Sequence, residues 1–149
     1  MLENPHDISL FDIIGIQPAN PGAGADLDFP CPVRARIRID AITFTFTTDA
    51  NVANRVVKLQ LFDSATAWTI GLPTLVQTAA TTRRFNFAPG IGSDRELLGG
   101  APDNIEYSNL AWPLWLRFGD SLITSIQGLQ VGDQISSVSI RYSQQITPS

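Results

Sequence analysis

From Val33 onward the chain alternates. Val33, Ala35, Ile37 and Ile39 are interleaved with Arg34, Arg36, Arg38 and Asp40, a period of two that sorts apolar and polar side chains onto opposite faces of a β-strand. At Ala41 and Ile42 the phase slips, and Ile42, Phe44 and Phe46 then alternate with Thr43, Thr45 and Thr47. One extra residue in a continuous strand makes a β-bulge, so this strand is expected to bend or change partner near residue 41. The same period recurs at Val57, Leu59 and Leu61, at Phe85 and Phe87, at Leu114, Leu116 and Phe118, and at Val138, Ile140 and Tyr142. Shorter runs at 67–70 and 75–78 flank a break at Gly71-Leu72-Pro73, and another lies at 122–127.

Turn signals separate these runs. Thr48-Asp49-Ala50-Asn51 closes the first pair, and Gly119-Asp120 recurs 13 residues later as Gly132-Asp133. Residues 88–104 form a long loop rich in Gly and Pro. Within it Ser93-Asp94-Arg95-Glu96 fits a capping box, which predicts a single helical turn over 94–98 stopped by Gly99. About eight or nine short strands with no helical crossover predict an all-β fold, an antiparallel β-sandwich of jelly-roll type.

The first 32 residues have a different texture. Their one apolar island, residues 8–16, reads as a strand with Ile14 and Ile16 on one face. A helical turn with Leu10, Phe11 and Ile14 on one stripe is the alternative, and the β-branched content favours the strand. Pro18-Ala19-Asn20-Pro21-Gly22-Ala23-Gly24 has no periodicity and reads as an extended linker. Charge sharpens the contrast. Glu3, Asp7, Asp12, Asp26 and Asp28 face no Lys or Arg in this segment, so it carries −5, whereas ten basic and nine acidic residues leave the remainder at +1. Five of the ten prolines also lie here, which predicts an N-terminal docking arm at 1–32 and a sandwich body at 33–149.

Composition narrows the function. The single cysteine excludes an internal disulfide framework and multi-Cys zinc patterns, and a net charge of −4 argues against a basic nucleic-acid-binding domain. The N-terminus lacks the basic and apolar regions of a secretory signal. The uncharged stretch 64–82 has the length of a membrane span, but Pro73, Gln77 and its many Thr read as strand–turn–strand, so no membrane partner is expected.

Catalytic equipment is sparse. His6, the only imidazole, stands in the arm, and Cys31, between Pro30 and Pro32, reads as a small buried residue rather than a nucleophile. Gly90-Ile91-Gly92 lacks the third glycine and the helix of a dinucleotide fingerprint. Asp26 with Asp28, or Asp120 with Asp133, could approach a calcium ion, but no calcium-loop spacing accompanies them and each fits a turn. With three Glu in all and no recognisable strand-end pair, a glycosidase is a weak third reading. The expectation is a protein with no catalytic residue, no metal and no cofactor. Trp68, Trp112 and Trp115, with Tyr107, could make an aromatic platform for a sugar, although packing is the simpler account of Trp68 and Trp115.

Arg34, Arg36 and Arg38 on one strand face repel one another unless anions meet them. Nine of the ten basic residues are Arg, the residue favoured where planar contacts to carboxylates matter, and an acidic arm lies just upstream. The expected interface therefore comprises the apolar arm residues Ile8, Leu10, Phe11, Ile13, Ile14 and Ile16 and the row Arg34, Arg36 and Arg38, with an arm of the same or a neighbouring subunit across or near the row.

Two stretches, Ile42-Thr43-Phe44-Thr45-Phe46-Thr47-Thr48-Asp49-Ala50-Asn51-Val52-Ala53-Asn54-Arg55 and Gly128-Leu129-Gln130-Val131-Gly132-Asp133-Gln134-Ile135, give the body its style. Threonine-rich alternation, an Ala-Asn turn and a late Gly-Asp hairpin resemble the β-sandwich structural proteins of tailed bacteriophages, of the capsid-decoration or head-fibre type. The resemblance implies a homo-oligomer, trimeric by preference, assembled in the host cytoplasm and attached in the virion to the major capsid protein or another virion protein. A sugar-binding module of a fibre or receptor-binding protein is the alternative.

Overall fold

A computed structural model describes residues 11–32, 36–73, 76–90, 94–97, 104–110 and 114–145. The alternating segments fold as their periods dictate. Strand β3 (Ile37–Thr47) buries Ile37, Ile39, Ile42, Phe44 and Phe46 completely, and the two apolar sets stay on one face only because the strand absorbs an extra residue between them. Against the last strand, β11 (Gln134–Gln145), Arg141 sits opposite Ala41 but Tyr142 sits opposite Ile39, which leaves Asp40 as the inserted residue. On its other edge β3 changes partner at the same place. Residues Ile42 to Thr47 pair with β6 (Thr82–Pro89), and Ile37 to Ile39 pair with β9 (Leu114–Leu116). The phase slip is a bulge and a partner change at once.

Two sheets form. The seven-stranded sheet runs β1 (Phe11–Ile16), β11, β3, β6, β8 (Asn104–Leu110), β7 (Asp94–Leu97), with β9 on β3 beyond the end of β6. The four-stranded sheet runs β2 (Asp28–Pro30), β10 (Ser121–Gln127), β4 (Val56–Phe62), β5 (Ala67–Gly71). With β7, β8 and β9 set aside, the sheets read β1-β11-β3-β6 and β2-β10-β4-β5. In chain order the strands cross from sheet to sheet except at the β4–β5 hairpin, which is the winding of a jelly roll. The protein is an antiparallel jelly-roll sandwich with one addition: β8 joins the β6 edge in parallel, and β7 pairs antiparallel beyond it. Both lie in the insertion between β6 and β10.

Inward-facing positions of both sheets meet in one core. Phe44, Phe85 and Phe87 stack with centroids 5.4 to 6.4 Å apart, and Leu59, Leu122, Ile135 and Ile140 close around them. Gly71 allows this contact between sheets. A Cβ there would lie 2.7 Å from the Phe87 ring.

The described part of the first 32 residues belongs to the sandwich. Strand β1 pairs with β11 along its whole length and leans Ile14 and Ile16 on the core, so the island at 8–16 is a strand where it is described. Strand β2 pairs with β10 and buries Phe29, flanked by buried Leu27 and Cys31. Without these segments the jelly roll lacks its first two strands; residues 1–10 lie outside the described residues. The helical turn expected at 94–98 is instead β7, antiparallel to β8. A single turn satisfies few of its own backbone groups, whereas the β8 edge offers a ladder. Eleven strands among the described residues exceed the expected eight or nine, because β1, β2 and β7 fall in segments read as arm or loop. The run at 75–78 contributes only Gln77, bridged to Arg55, among its described residues.

Candidate functional site

The windings β1–β2, β3–β4, β5–β6 and β10–β11 gather at one end of the sandwich, where a buried charge ties them together. Arg55, at the entry to β4, is 0% exposed. Its Nε donates to Asp133 Oδ2 at 3.0 Å, and its Nη2 donates to Asp133 Oδ1 at 2.9 Å and Asp49 Oδ1 at 2.6 Å. Its Nη1 donates to the carbonyls of Asn51 and Ala53 at 2.9 and 2.7 Å. All five guanidinium donors are used, the condition under which a charge can be buried.

Asp133 is equally occupied. It accepts from both Arg55 nitrogens and from the amides of Asp49 and Gln130 at 2.9 and 2.8 Å. Burial pushes its carboxyl up, but the Arg55 guanidinium and the two amides outweigh burial and hold it below the ordinary carboxylate range. The hydrogen bonds to Asp133, more than burial opposes them, also raise Arg55. The other loops are tied in by Gln77, which exchanges backbone hydrogen bonds with Arg55, and by Gly24, whose amide donates to the Asp133 carbonyl at 2.7 Å. This centre has no donor left for a ligand; its chemistry is to hold four windings in register.

Both Gly-Asp repeats close with the same hydrogen bonds, although Gly119 takes φ 98° and Gly132 does not take a positive φ. In each, the Asp amide donates to the carbonyl three residues back and the Asp carboxylate takes the amide of that same residue: Arg117 for Asp120, Gln130 for Asp133. The apex turns an apolar side chain outward, Phe118 at 64% exposure and Val131 at 82%, one at each end of β10.

The Phe118 end carries further aromatic surface. Phe62 stands opposite Ser121 and Ala67, Trp68 stands opposite Leu61 at 57% exposure, and Phe118 shares with Leu61, Asp63, Trp115 and Arg117 a hollow of about 410 Å³. Asp63 orients Trp68 through its indole N–H at 3.4 Å while capping the turn at Ala65 and Thr66. The two backbone amides, with a smaller indole contribution, hold the Asp63 carboxyl below its ordinary range.

The expected interface residues fall on and near the outer face of the seven-stranded sheet. Arg36 lies 4.8 Å over the Trp115 ring, and Arg38, 5.9 Å from it, donates to Asp40 at 2.9 Å and to Ser143 at 3.4 Å. The arginine row thus meets a carboxylate of its own strand and an indole face. Ile13, 62% exposed, stands opposite Ser143, which stands opposite Arg38, so β1 runs two strands from the row. Ile14 and Ile16 point to the core side. Ile8, Leu10, Arg34, His6 and Trp112 lie outside the described residues, as do the side chains of Phe11 and Tyr107.

Asp26 accepts from Thr124 Oγ1 and the Ile126 amide, and burial raises its carboxyl despite those bonds. No cluster of three His, Cys, Asp or Glu able to hold a metal occurs among the described residues. Arg55 is the residue that sequence reasoning missed. Its signal was present: an Arg closing the Ala-Asn turn, flanked in the fold by two turn aspartates. No family model, no curated protein and no solved structure matches the chain.

Proposed function

We propose that the chain is a non-enzymatic structural protein of a virion, a homotrimeric jelly-roll subunit that decorates or stabilises a capsid or other virion surface beside the major capsid protein. The observation that carries this reading is the aromatic end of the sandwich. Trp68 and Phe118 stand exposed beside Leu61 at one end of a fold that recurs in viral capsid proteins, while Phe62, one residue on from Leu61, is exposed on the opposite face of β4. A covered aromatic side chain buries roughly 150–250 Å², so the uncovered parts of Trp68 and Phe118 amount to about 250 Å², close to the scale of an interaction patch. The patch is rimmed by Asp63, Arg117 and Asp120, an apolar centre with a charged border. The fold itself is an analogy; the patch is the site-level argument.

Multi-angle light scattering on the full chain tests the reading, together with mass spectrometry of gradient-purified virions from cells carrying the gene. A trimer that Trp68→Ser with Phe118→Ser converts to monomer, and the chain's presence in purified particles, are the expected results. A monomer that remains absent from particles overturns the proposal.

A further inference from the structure

On the outer face of the seven-stranded sheet, away from the aromatic end, lies a groove of about 590 Å³ lined by Gln17, Asn20, Thr43, Arg84, Ser137 and Ser139, with Pro18, Ala19 and Val138 between them. Strand alternation builds its floor. Ile42 and Phe44 of β3 and Phe85 and Phe87 of β6 turn inward, so Thr43 and Arg84 turn outward, with Ser139 of β11 directly opposite Thr43. The wall comes from residues 17–20, which leave β1 where Ile16 pairs with Ile140.

Two observations mark this groove as more than a solvated face. Strand β11 breaks register between Ser136 and Ser139, and Ser137 there holds φ 51°, a left-handed conformation uncommon outside glycine. Bulges of this kind re-aim side chains, and strained residues concentrate at binding sites. Furthermore, among the described residues none of the six polar side chains has a hydrogen-bond partner and Arg84 has no ion pair. Some surface polar groups elsewhere, such as Asp63 and Asp120, are spent on capping turns. Here amide and hydroxyl groups converge on one cavity with their capacity unused.

The geometry points to a binding site for a carboxylate-bearing saccharide, with Arg84 holding the carboxylate and Gln17, Asn20, Thr43, Ser137 and Ser139 the ring hydroxyls. The planar guanidinium matches a carboxylate through two parallel hydrogen bonds, and hydroxyls and amides serve as donor or acceptor as sugar hydroxyls require. The volume lies within the usual range for small-ligand sites. Among the described residues that line the groove Arg84 is the single cation, which matches one carboxylate rather than the closely spaced phosphates of nucleic acid or polyphosphate. None of the described residues that line the groove is aromatic, so none of them would stack a nucleobase. The site stands independently of the assembly reading, because its residues are distinct from the aromatic end.

Isothermal titration of the full chain with trigalacturonate tests it, with maltotriose and inorganic phosphate as comparators and amide chemical-shift mapping to locate the contact. Trigalacturonate should bind with shifts centred on residues 17–20, 84 and 137–139, and maltotriose should bind about tenfold or more weakly, the value of a charge-assisted contact. Arg84→Gln should remove that preference, Thr43→Val with Ser139→Ala should weaken the acidic sugar, and Lys58→Gln, on the other sheet, should change nothing. These positions face solvent, so unchanged melting temperatures show that the variants fold. No binding of trigalacturonate at about 10 mM, a weaker affinity than any specific site would show, overturns the proposal. So does unaltered binding by Arg84→Gln, or phosphate binding as tightly as the sugar, which would mark a simple anion site. An unchanged oligomeric state of Arg84→Gln separates failure here from failure of the assembly reading.

Discussion

Replacing the buried Arg55 with Ala should cost more than truncating any side chain on the surface of the sandwich. The substitution leaves Asp133, Asp49 and the carbonyls of Asn51 and Ala53 without the five hydrogen bonds they accept from it. Asp133 is 1% exposed and keeps its charge with only two amides to answer it. Removing one partner of a buried ion pair costs about 3–5 kcal/mol. That is a large share of the roughly 5–15 kcal/mol that holds a domain together. Urea denaturation followed by tryptophan fluorescence measures it, with Asp133→Asn and the double variant completing a cycle. The double variant should lose less than the sum of the singles, since each single strands the other group. The pH profile offers a second reading of the same centre. Asp133 is held below its ordinary value, so its contribution is fully present above the unfolded pKa of about 3.9 and is lost as pH falls through the lower folded value. The wild type should therefore lose stability steeply below about pH 4, whereas Asp133→Asn should start lower and fall less in that window. A cost for Arg55→Ala below about 1 kcal/mol, the range of an exposed pair, would refute the reasoning.

The backbone supplies two further predictions. Gly128→Ala should destabilise by more than about 1 kcal/mol, because φ is +76° and a Cβ would meet the Asn54 carbonyl oxygen; thermal melting should fall by several degrees, and an unchanged melt would count against the packing described. A chain beginning at Val33 lacks β1 and β2, which uncovers the outer edges of β11 and β10, so it should give no cooperative near-ultraviolet melt and should aggregate; a sharp native-like transition would show the body to be autonomous.

Some of the fold was legible because strands write themselves in a period of two. The slip at Ala41 is the clearest case. Its apolar positions cannot stay on one face without an inserted residue, and the bulge at Asp40 with the exchange of β6 for β9 is the structural answer. The Gly-Asp repeat was legible for a different reason: in both copies the aspartate carboxylate caps the amide three residues back, although Gly119 takes a positive φ and Gly132 does not. What alternation cannot say is which strand lies beside which. Pairing is non-local, and the jelly-roll order β1-β11-β3-β6 joins residue 14 to residue 142.

The acidic N-terminal segment shows where composition misleads. Its proline content and charge set it apart from the rest, yet the strands within it are short, and short strands carry little signal of their own. Leu27, Phe29 and Cys31 alternate just as the later strands do, and all three are buried. Three apolar positions between prolines are too few to outweigh the surrounding turn residues when read alone; their partner, β10, lies about a hundred residues downstream. The charges themselves remain at work in that place. Asp26 accepts from Thr124 and Ile126 across the same pairing, so a residue that looked like part of a tether is a fastening of the sandwich. The site suffers the same limit more severely. Thr43, Arg84 and Ser139 each occupy an unremarkable outward position on its own strand, and only the pairing of β3 with β6 and β11 brings them to one groove.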